Sequence, residues 1–399
     1  MKNIDYKKAV LMFFISAVAF FSILPAAFYL YDPLQLFHAA WGRSPAFHKD
    51  MRQQAAGIIQ NYDFDSIILG TSMLENSSAA EAGRVLGGKF VNISMSSSLH
   101  YERSLVLAYL LKRKALRNVV YSLDYSYLSP TYDHPDYPMA TWGYLYDSNR
   151  LNDFKAYYND KFFLCLLRWS IDPLCAGKAK SLDRPNAWFM NPNHASRFGG
   201  LDNWFSAANN GQVKSAFKSI SNAAQKVDAS APVDEKEYLL RRAEVISYID
   251  SYVLANARRN RETNFYYVFP PYSRIHFSML YQANPKLARL HEDVVRHIVE
   301  EAENMKNVLV IGYEDQDFLD DISNYKDPRH YHEKYNRIFI DDIRAGRHVL
   351  TQKNTDEYIS VAKEKALAFD LSGLGAKIDT YLKSSPAQDQ VDTSRKRGI

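Results

Sequence analysis

The sequence predicts an α/β fold built on a mostly parallel sheet and preceded by one membrane-spanning helix. Three observations lead there. Short apolar, β-branched runs recur along the chain. Patterns with one apolar side at helical spacing lie between several of them. Residues 9–31 run without a single charge. Strands alternating with helices favour parallel pairing, with helices covering both faces of the sheet.

The elements follow in order. The stretch from Ala9 to Tyr31, at ~1.5 Å per residue, is long enough for a hydrocarbon core of roughly 30 Å. Lys2, Lys7 and Lys8 precede it against Asp5 alone. The positive-inside rule then makes 1–8 a cytoplasmic tail and 9–31 an anchor, with everything after Asp32 on the outer side. That implies a single-pass protein of a bacterial-type inner or plasma membrane, facing the periplasm or the exterior. Tyr29 and Tyr31 are expected as aromatic anchors at the outer interface. A cleaved signal peptide is the competing reading, but Pro25 is a poor −3 residue and the apolar run continues past it.

Residues 32–62 read as a connector, with helical character over Met51–Gln60. Strands are predicted at Ser66–Leu69, Phe90–Ile93, Val119–Leu123, Phe265–Phe269 and Val308–Ile311. Helices are predicted at Tyr101–Lys114, Tyr238–Arg259 and Leu287–Asn304. Between 129 and 233 the rhythm breaks into a Tyr-, Pro-, Asn- and Asp-rich stretch, read as an insertion or cap in a domain covering 63–383. Its end, Ser219–Pro232, reads as an exposed helix end or linker. The polar tail 384–399 reads as disordered.

Composition narrows the function. Of 399 residues, 47% are apolar and 24% charged, which is ordinary for a globular protein. The net charge of +4, without a basic cluster in the core of the chain, argues against nucleic acid. Cys165 and Cys175 stand ten positions apart. A small disulfide loop in an oxidising exterior and a pair of buried thiols both remain open. No CxxC or HExxH spacing occurs, so neither a metal nor a cofactor is expected.

Two motifs carry the chemistry. Gly70-Thr71-Ser72-Met73 follows the first strand, and Asp327-Pro328-Arg329-His330 follows the fifth. Ligands of an open parallel sheet bind beyond the carboxyl ends of its strands, so the two motifs meet at one edge. Ser72 needs a base to become nucleophilic; His330 is that base, and Asp327 orients the ring. Taken alone, Asp327-Pro328 also reads as a helix start, with Asp as cap and Pro in the first turn. Gly70 removes bulk where the chain turns. The backbone N–H of Ser72 and one within the loop of Ser94, Ser96 and Ser97 are the expected oxyanion donors. Asp124 and Tyr125, after the third strand, complete the substrate-binding set. His332 is a rival base. His100, His134 and His276 read as loop or surface histidines, and Glu102 and Arg103 as helix-dipole and solubility residues.

These blocks resemble the SGNH (GDSL-like) hydrolase superfamily over 63–124 and 265–343. Gly70-x-Ser72 looks like its first block and Asp327-x-x-His330 like its last. The resemblance implies a flavodoxin-like three-layer sandwich and a Ser-His-Asp esterase or acyltransferase. The middle blocks differ: serines stand for the oxyanion glycine, and Asp124 or Tyr125 stands where an asparagine is expected. An N-terminal anchor with Gly-Thr-Ser most resembles members that assist O-acylation of cell-surface glycans. This implies a polysaccharide substrate and a membrane-bound O-acyltransferase as partner. The differing blocks also motivate another reading, a catalytically weak scaffold on the same fold.

Overall fold

The computed structural model describes residues 6–227 and 234–384. Five strands form one all-parallel sheet: β1 (Ser66–Leu69), β2 (Phe90–Asn92), β3 (Asn118–Ser122), β4 (Asn264–Val268) and β5 (Val308–Ile311), in the order β2-β1-β3-β4-β5. Ser66 pairs with Phe90 on one side and Asn118 on the other; Asn118 pairs with Asn264, and Phe265 with Val308. Every residue of β1, β2 and β3 is buried. That is why these strands read as continuous apolar runs rather than alternating ones.

The helices before and between these strands are α1 (Tyr6–Tyr31), α2 (Met51–Asn61), α3 (Ala79–Leu86) and α4 (His100–Leu111). The insertion carries α5 (Asp160–Leu167), α6 (Pro173–Ala176), α7 (Pro192–Ala195), α8 (Leu201–Ser206) and α9 (Gly211–Ala224), and no strand among its described residues. Next come α10 (Glu235–Ile249), a π turn at Asp250–Leu254, α11 (Ala255–Arg259), α12 (Arg274–Ala283), α13 (Pro285–Glu303), α14 (Lys334–Ala345), α15 (Thr355–Ala368) and α16 (Leu371–Ser384).

Handedness assigns the faces. The chain steps from β1 outward to β2, then reverses across β1 to β3 and continues to β5. Right-handed crossovers place α3 on one face and the helices of the other crossovers on the opposite one. The contacts agree: α14 packs on α3, whereas α10 and α12 pack on α13. The reversal leaves a switch point between β1 and β3, where both Ser72 and Asp124 leave the sheet.

Several elements differ from the sequence reading. The expected helix 238–259 is interrupted by the π turn, where the Tyr267 hydroxyl of β4 donates to the Val253 carbonyl at 2.7 Å. Asp327-Pro328 starts no helix; the segment is a loop closed by a Tyr325–Tyr331 bridge, and α14 begins at Lys334. The connector is folded onto the domain: Gln54 is buried, and its amide donates to the Leu34 carbonyl at 2.7 Å. Within Ser219–Pro232, α9 extends through Ala224, and 228–233 lie outside the described residues, as do 1–5 and the tail after Ser384.

At the N-terminus, α1 is one helix long and apolar enough to cross a membrane. Tyr31, expected as an aromatic anchor, is buried against a Cys165–Cys175 disulfide. The bond closes a loop of ten-residue separation, and a loop this size contributes about 2–3 kcal/mol by restricting the unfolded chain. Replacing both cysteines by serine should lower stability by that amount, read by urea denaturation in detergent. An unchanged midpoint would show the bond to be dispensable.

Candidate functional site

The loop after β1 is held from several sides, and this is what aims Ser72. The Gly70 N–H donates to Ser94 Oγ at 3.1 Å, and the Met95 N–H to the Gly70 carbonyl at 2.8 Å. The Met73 carbonyl accepts from the Tyr331 hydroxyl at 2.7 Å and from Asn336 Nδ2 at 2.8 Å. A Cβ on Gly70 would lie 2.5 Å from Ser122 Oγ and 2.8 Å from Leu74 Cγ. Glycine is therefore required for close packing rather than for an unusual turn.

Ser72 Oγ lies 2.9 Å from His330 Nε2, and His330 Nδ1 lies 2.8 and 2.9 Å from the two Asp327 carboxylate oxygens. A carboxylate on Nδ1 keeps the proton there, so Nε2 of the neutral ring accepts from the Ser72 hydroxyl. Asp327 also accepts from the N–H groups of Arg329 and His330, both at 3.0 Å. Motifs 258 residues apart thus form one hydrogen-bonded line.

The electrostatics fit a base held neutral. Burial is the largest influence on His330 and lowers its pKa; Asp327 opposes this and Lys326 reinforces it, leaving the ring below its ordinary 6.5. Burial pushes the Asp327 carboxyl up, but the His330 ring, Lys326 and the Arg329 N–H outweigh it and hold the group well below the usual carboxylate range. Lys326 is lowered to about 8, chiefly by burial.

The expected substrate-binding residues divide. Ser72 N–H makes no hydrogen bond within the described residues, consistent with a free donor. In the next loop, Ser94 N–H is taken by Asn92 Oδ1 at 3.0 Å, and Ser96 hydrogen-bonds Glu75. Ser97, exposed and at φ 55°, has an uncommitted N–H. The Asp124 carboxylate instead faces inward. It accepts from Thr71 Oγ1 at 2.7 Å, from Ser122 Oγ and from the Tyr272 hydroxyl at 3.2 Å, and pairs with buried Arg103 at 3.1 Å. The Tyr125 hydroxyl donates to Glu314 in a buried network that continues to His291 and Tyr127. Neither side chain is brought to Ser72 as a donor.

Other residues differ from the sequence reading. Glu102 and Arg103 are not solubility residues: Glu102 is fully buried in a two-point pair with Arg52, at 2.7 and 2.9 Å. His100 is buried between the Tyr121 hydroxyl and the Asp124 carbonyl, each at 2.9 Å. His276 lies on α12 and is lowered to about 3, chiefly by burial. His332 accepts from the Lys334 N–H at 3.2 Å and makes no bond to Ser72.

Sequence reasoning missed Trp188. Its indole N–H donates to the Ser72 carbonyl at 2.8 Å, its ring meets His330 edge-on at 5.4 Å, and Lys326 Nζ lies 4.2 Å above it. Asn76 was missed too: Oδ1 accepts from the Trp188 N–H at 3.1 Å, while buried Nδ2 has no partner. A tryptophan in a polar stretch was the one available signal. A cavity of about 430 Å³ opens on the Asp327–His330 loop, walled by Gln212, Ser215, Ser219, His276 and Met279. No group of three or more His, Cys, Asp or Glu among the described residues is placed to hold a metal.

Replacing Asp124 by Ala should cost about 3–5 kcal/mol, because Arg103 is left buried without its partner. Chemical denaturation of the full chain checks this; a loss under 1 kcal/mol would mean that Asp124 does not hold the switch point together.

No protein-family model matches the chain, and no curated protein matches it.

Proposed function

We propose that this chain is an extracytoplasmic, membrane-anchored acyl-ester enzyme of SGNH type, acting by O-acyl transfer or ester hydrolysis on a cell-surface or secreted polysaccharide. The observation that carries the reading is the Ser72–His330–Asp327 line at 2.8–2.9 Å. The strand order 2-1-3-4-5 is that of flavodoxin-like sheets, and the line stands at the switch point where such sheets bind ligands. The disulfide suits an oxidising compartment.

The chemistry runs in two halves. Ser72 Oγ attacks the acyl carbonyl while its proton passes to His330 Nε2. The tetrahedral oxyanion takes hydrogen bonds from the Ser72 N–H and from a second donor in the next loop, where the Ser97 N–H is uncommitted. Collapse breaks the bond to the leaving oxygen, which takes the proton from His330, and leaves an acyl-Ser72 ester. A sugar hydroxyl or water then attacks the acyl carbonyl and gives its proton to His330, and as the acyl–Oγ bond breaks His330 returns that proton to Ser72 Oγ. Asp327 stabilises the imidazolium in both halves. Transfer is preferred over hydrolysis, because an anchor keeps the domain beside a membrane-bound O-acyltransferase able to supply acyl groups.

A second reading, a scaffold module of a glycan-acylation complex, draws on the inward-facing Asp124 and Tyr125. They contribute no donor where the family pattern expects one.

A fluorophosphonate should label the wild-type full chain and leave Ser72→Ala unlabelled. Equal labelling of both would rule out Ser72 as nucleophile. Should Ser72→Ala restore glycan acylation in a deletion strain, the scaffold reading prevails.

His330 must be neutral to accept the proton, and its pKa lies below 6.5. The acid limb of kcat/KM for an activated acetyl ester should therefore centre below pH 6.5, with full activity at neutral pH. Lys326→Met removes a charge that depresses His330, and should move the limb toward higher pH. A limb centred above pH 7 in the wild type, or one unmoved in the variant, contradicts this assignment.

A further inference from the structure

Exposed apolar side chains gather at the C-terminal end of α1. With 26 residues, α1 is about 39 Å long, against roughly 30 Å of hydrocarbon. The domain wraps the surplus. Phe28 stacks on Tyr157 at 5.3 Å and meets Phe163 edge-on at 5.4 Å. Tyr31 packs on the disulfide, and its hydroxyl donates to the Ser170 carbonyl at 2.5 Å. Asp32 then fixes the exit, accepting from the N–H groups of Leu36 and Phe37 at 2.8 Å and of His38 at 3.0 Å. The disulfide loop is therefore level with the surface of any bilayer that α1 crosses.

That loop is apolar on its outside. Leu167 is 81% exposed and Leu174 79%, and Leu164, Trp169 and Ile171 are more than half exposed. Trp41, also exposed, stands on the other side of the helix end, 6.0 Å from Tyr29. A soluble surface rarely gathers such residues, whereas Trp and Leu beside basic residues are the composition of a membrane interface. Within 160–180, Lys161, Arg168, Lys178 and Lys180 outnumber Asp160 and Asp172.

A cleft of about 890 Å³ enters beside the helix end, with Trp41 and Trp169 in its wall and Tyr31, Ile171, Arg43 and Lys180 also lining it. Arg43 Nη2 donates to the Asp32 carbonyl at 3.0 Å, but its Nη1 is buried without a partner. Arg43 and the exposed Lys180 put two positive charges in the wall of a largely apolar cleft, which suits an anion.

We propose that segment 164–175 inserts into the leaflet at the C-terminal end of α1, and that the cleft holds the headgroup phosphate of an anionic phospholipid of that leaflet. Arg43 and Lys180 are its cationic ligands. The lipid's acyl chains continue past Trp169 and Ile171 into the bilayer. This device is independent of the chemistry at Ser72 and requires only that α1 span the membrane.

The test uses the full chain in nanodiscs of phosphatidylcholine brominated near the top of its acyl chains, with and without phosphatidylglycerol. Bromine should quench a large part of the emission of the five tryptophans. Trp41→Phe and Trp169→Phe should each remove part of the quenchable signal, and the double variant most of it. An unchanged quenched fraction in the double variant overturns the insertion. In native mass spectrometry from detergent, phosphatidylglycerol should remain bound to the wild type, and Arg43→Gln with Lys180→Gln should reduce its retention about tenfold. Equal retention overturns the headgroup site. A dimer in lipid nanodiscs in which Trp41 and Trp169 escape quenching would assign the surface to a second copy of the chain and overturn the proposal.

Discussion

The Asp124 carboxylate is where the two halves of the structure are tied. It leaves β3 beside the switch point and gathers Thr71 from the loop after β1, Ser122 from its own strand, Tyr272 from the loop after β4 and Arg103 from α4. Arg103 is fully buried and also donates to the Ser122 carbonyl at 2.6 Å. Two buried opposite charges are seldom a net gain over apolar packing, but removing one of them is expensive. The pair therefore works as a constraint more than as a source of stability. It keeps Thr71, and with it the neighbouring Ser72, in a fixed relation to three other elements.

From that point the site assembles by competition between burial and pairing. His330 is buried enough to disfavour its cation, yet faces a carboxylate that favours it. Burial wins, and Lys326 adds to it: it stabilises the Asp327 anion and opposes a second positive charge on the ring. The outcome is a neutral imidazole with its proton on Nδ1 and a lone pair toward Ser72. Burial likewise pushes Glu75, three residues beyond Ser72, up to about 8, so that it is mostly neutral at pH 7 and leaves the field around the serine to Asp327 and Lys326.

Much of this was legible from local chemistry. Ser66–Leu69 and Val308–Ile311 were read to the residue, because a run of Ile, Leu and Val between polar residues has few alternatives to a buried strand. Ser72, Asp327 and His330 stood out because strand ends and an Asp-x-x-His spacing are local signals. What escaped depends on long-range packing. Trp188 reaches Ser72 across 116 residues. Glu102 and Arg103 looked like ordinary first-turn charges until the partners Arg52 and Asp124 were known. Asp327 caps a turn and not a helix: its carboxylate accepts from the Arg329 and His330 N–H groups as well as from the ring, and the helix starts seven residues later, at Lys334.

The insertion turns these separate features into one piece of construction. After Cys175, the chain runs as a strap toward Ser72, fastened at nearly every step. His48 Nε2 bonds the Cys175 carbonyl at 2.8 Å, and Phe47 bridges Ala179. The Asn92 N–H donates to the Leu182 carbonyl at 2.9 Å, Ser78 to Asp183 Oδ1 at 2.7 Å, and Trp188 closes on Asn76 and Ser72. Trp188 lies thirteen positions after Cys175, so the strap reaches at most about 45 Å. A strap so fastened has little freedom to lengthen or swing. The same disulfide loop that meets the end of α1 therefore sets how far Ser72 stands from that helix end, and the connector, through Phe47 and His48, shares in setting it. A helix followed by a flexible linker would leave that distance open; this chain closes it with backbone and side-chain hydrogen bonds.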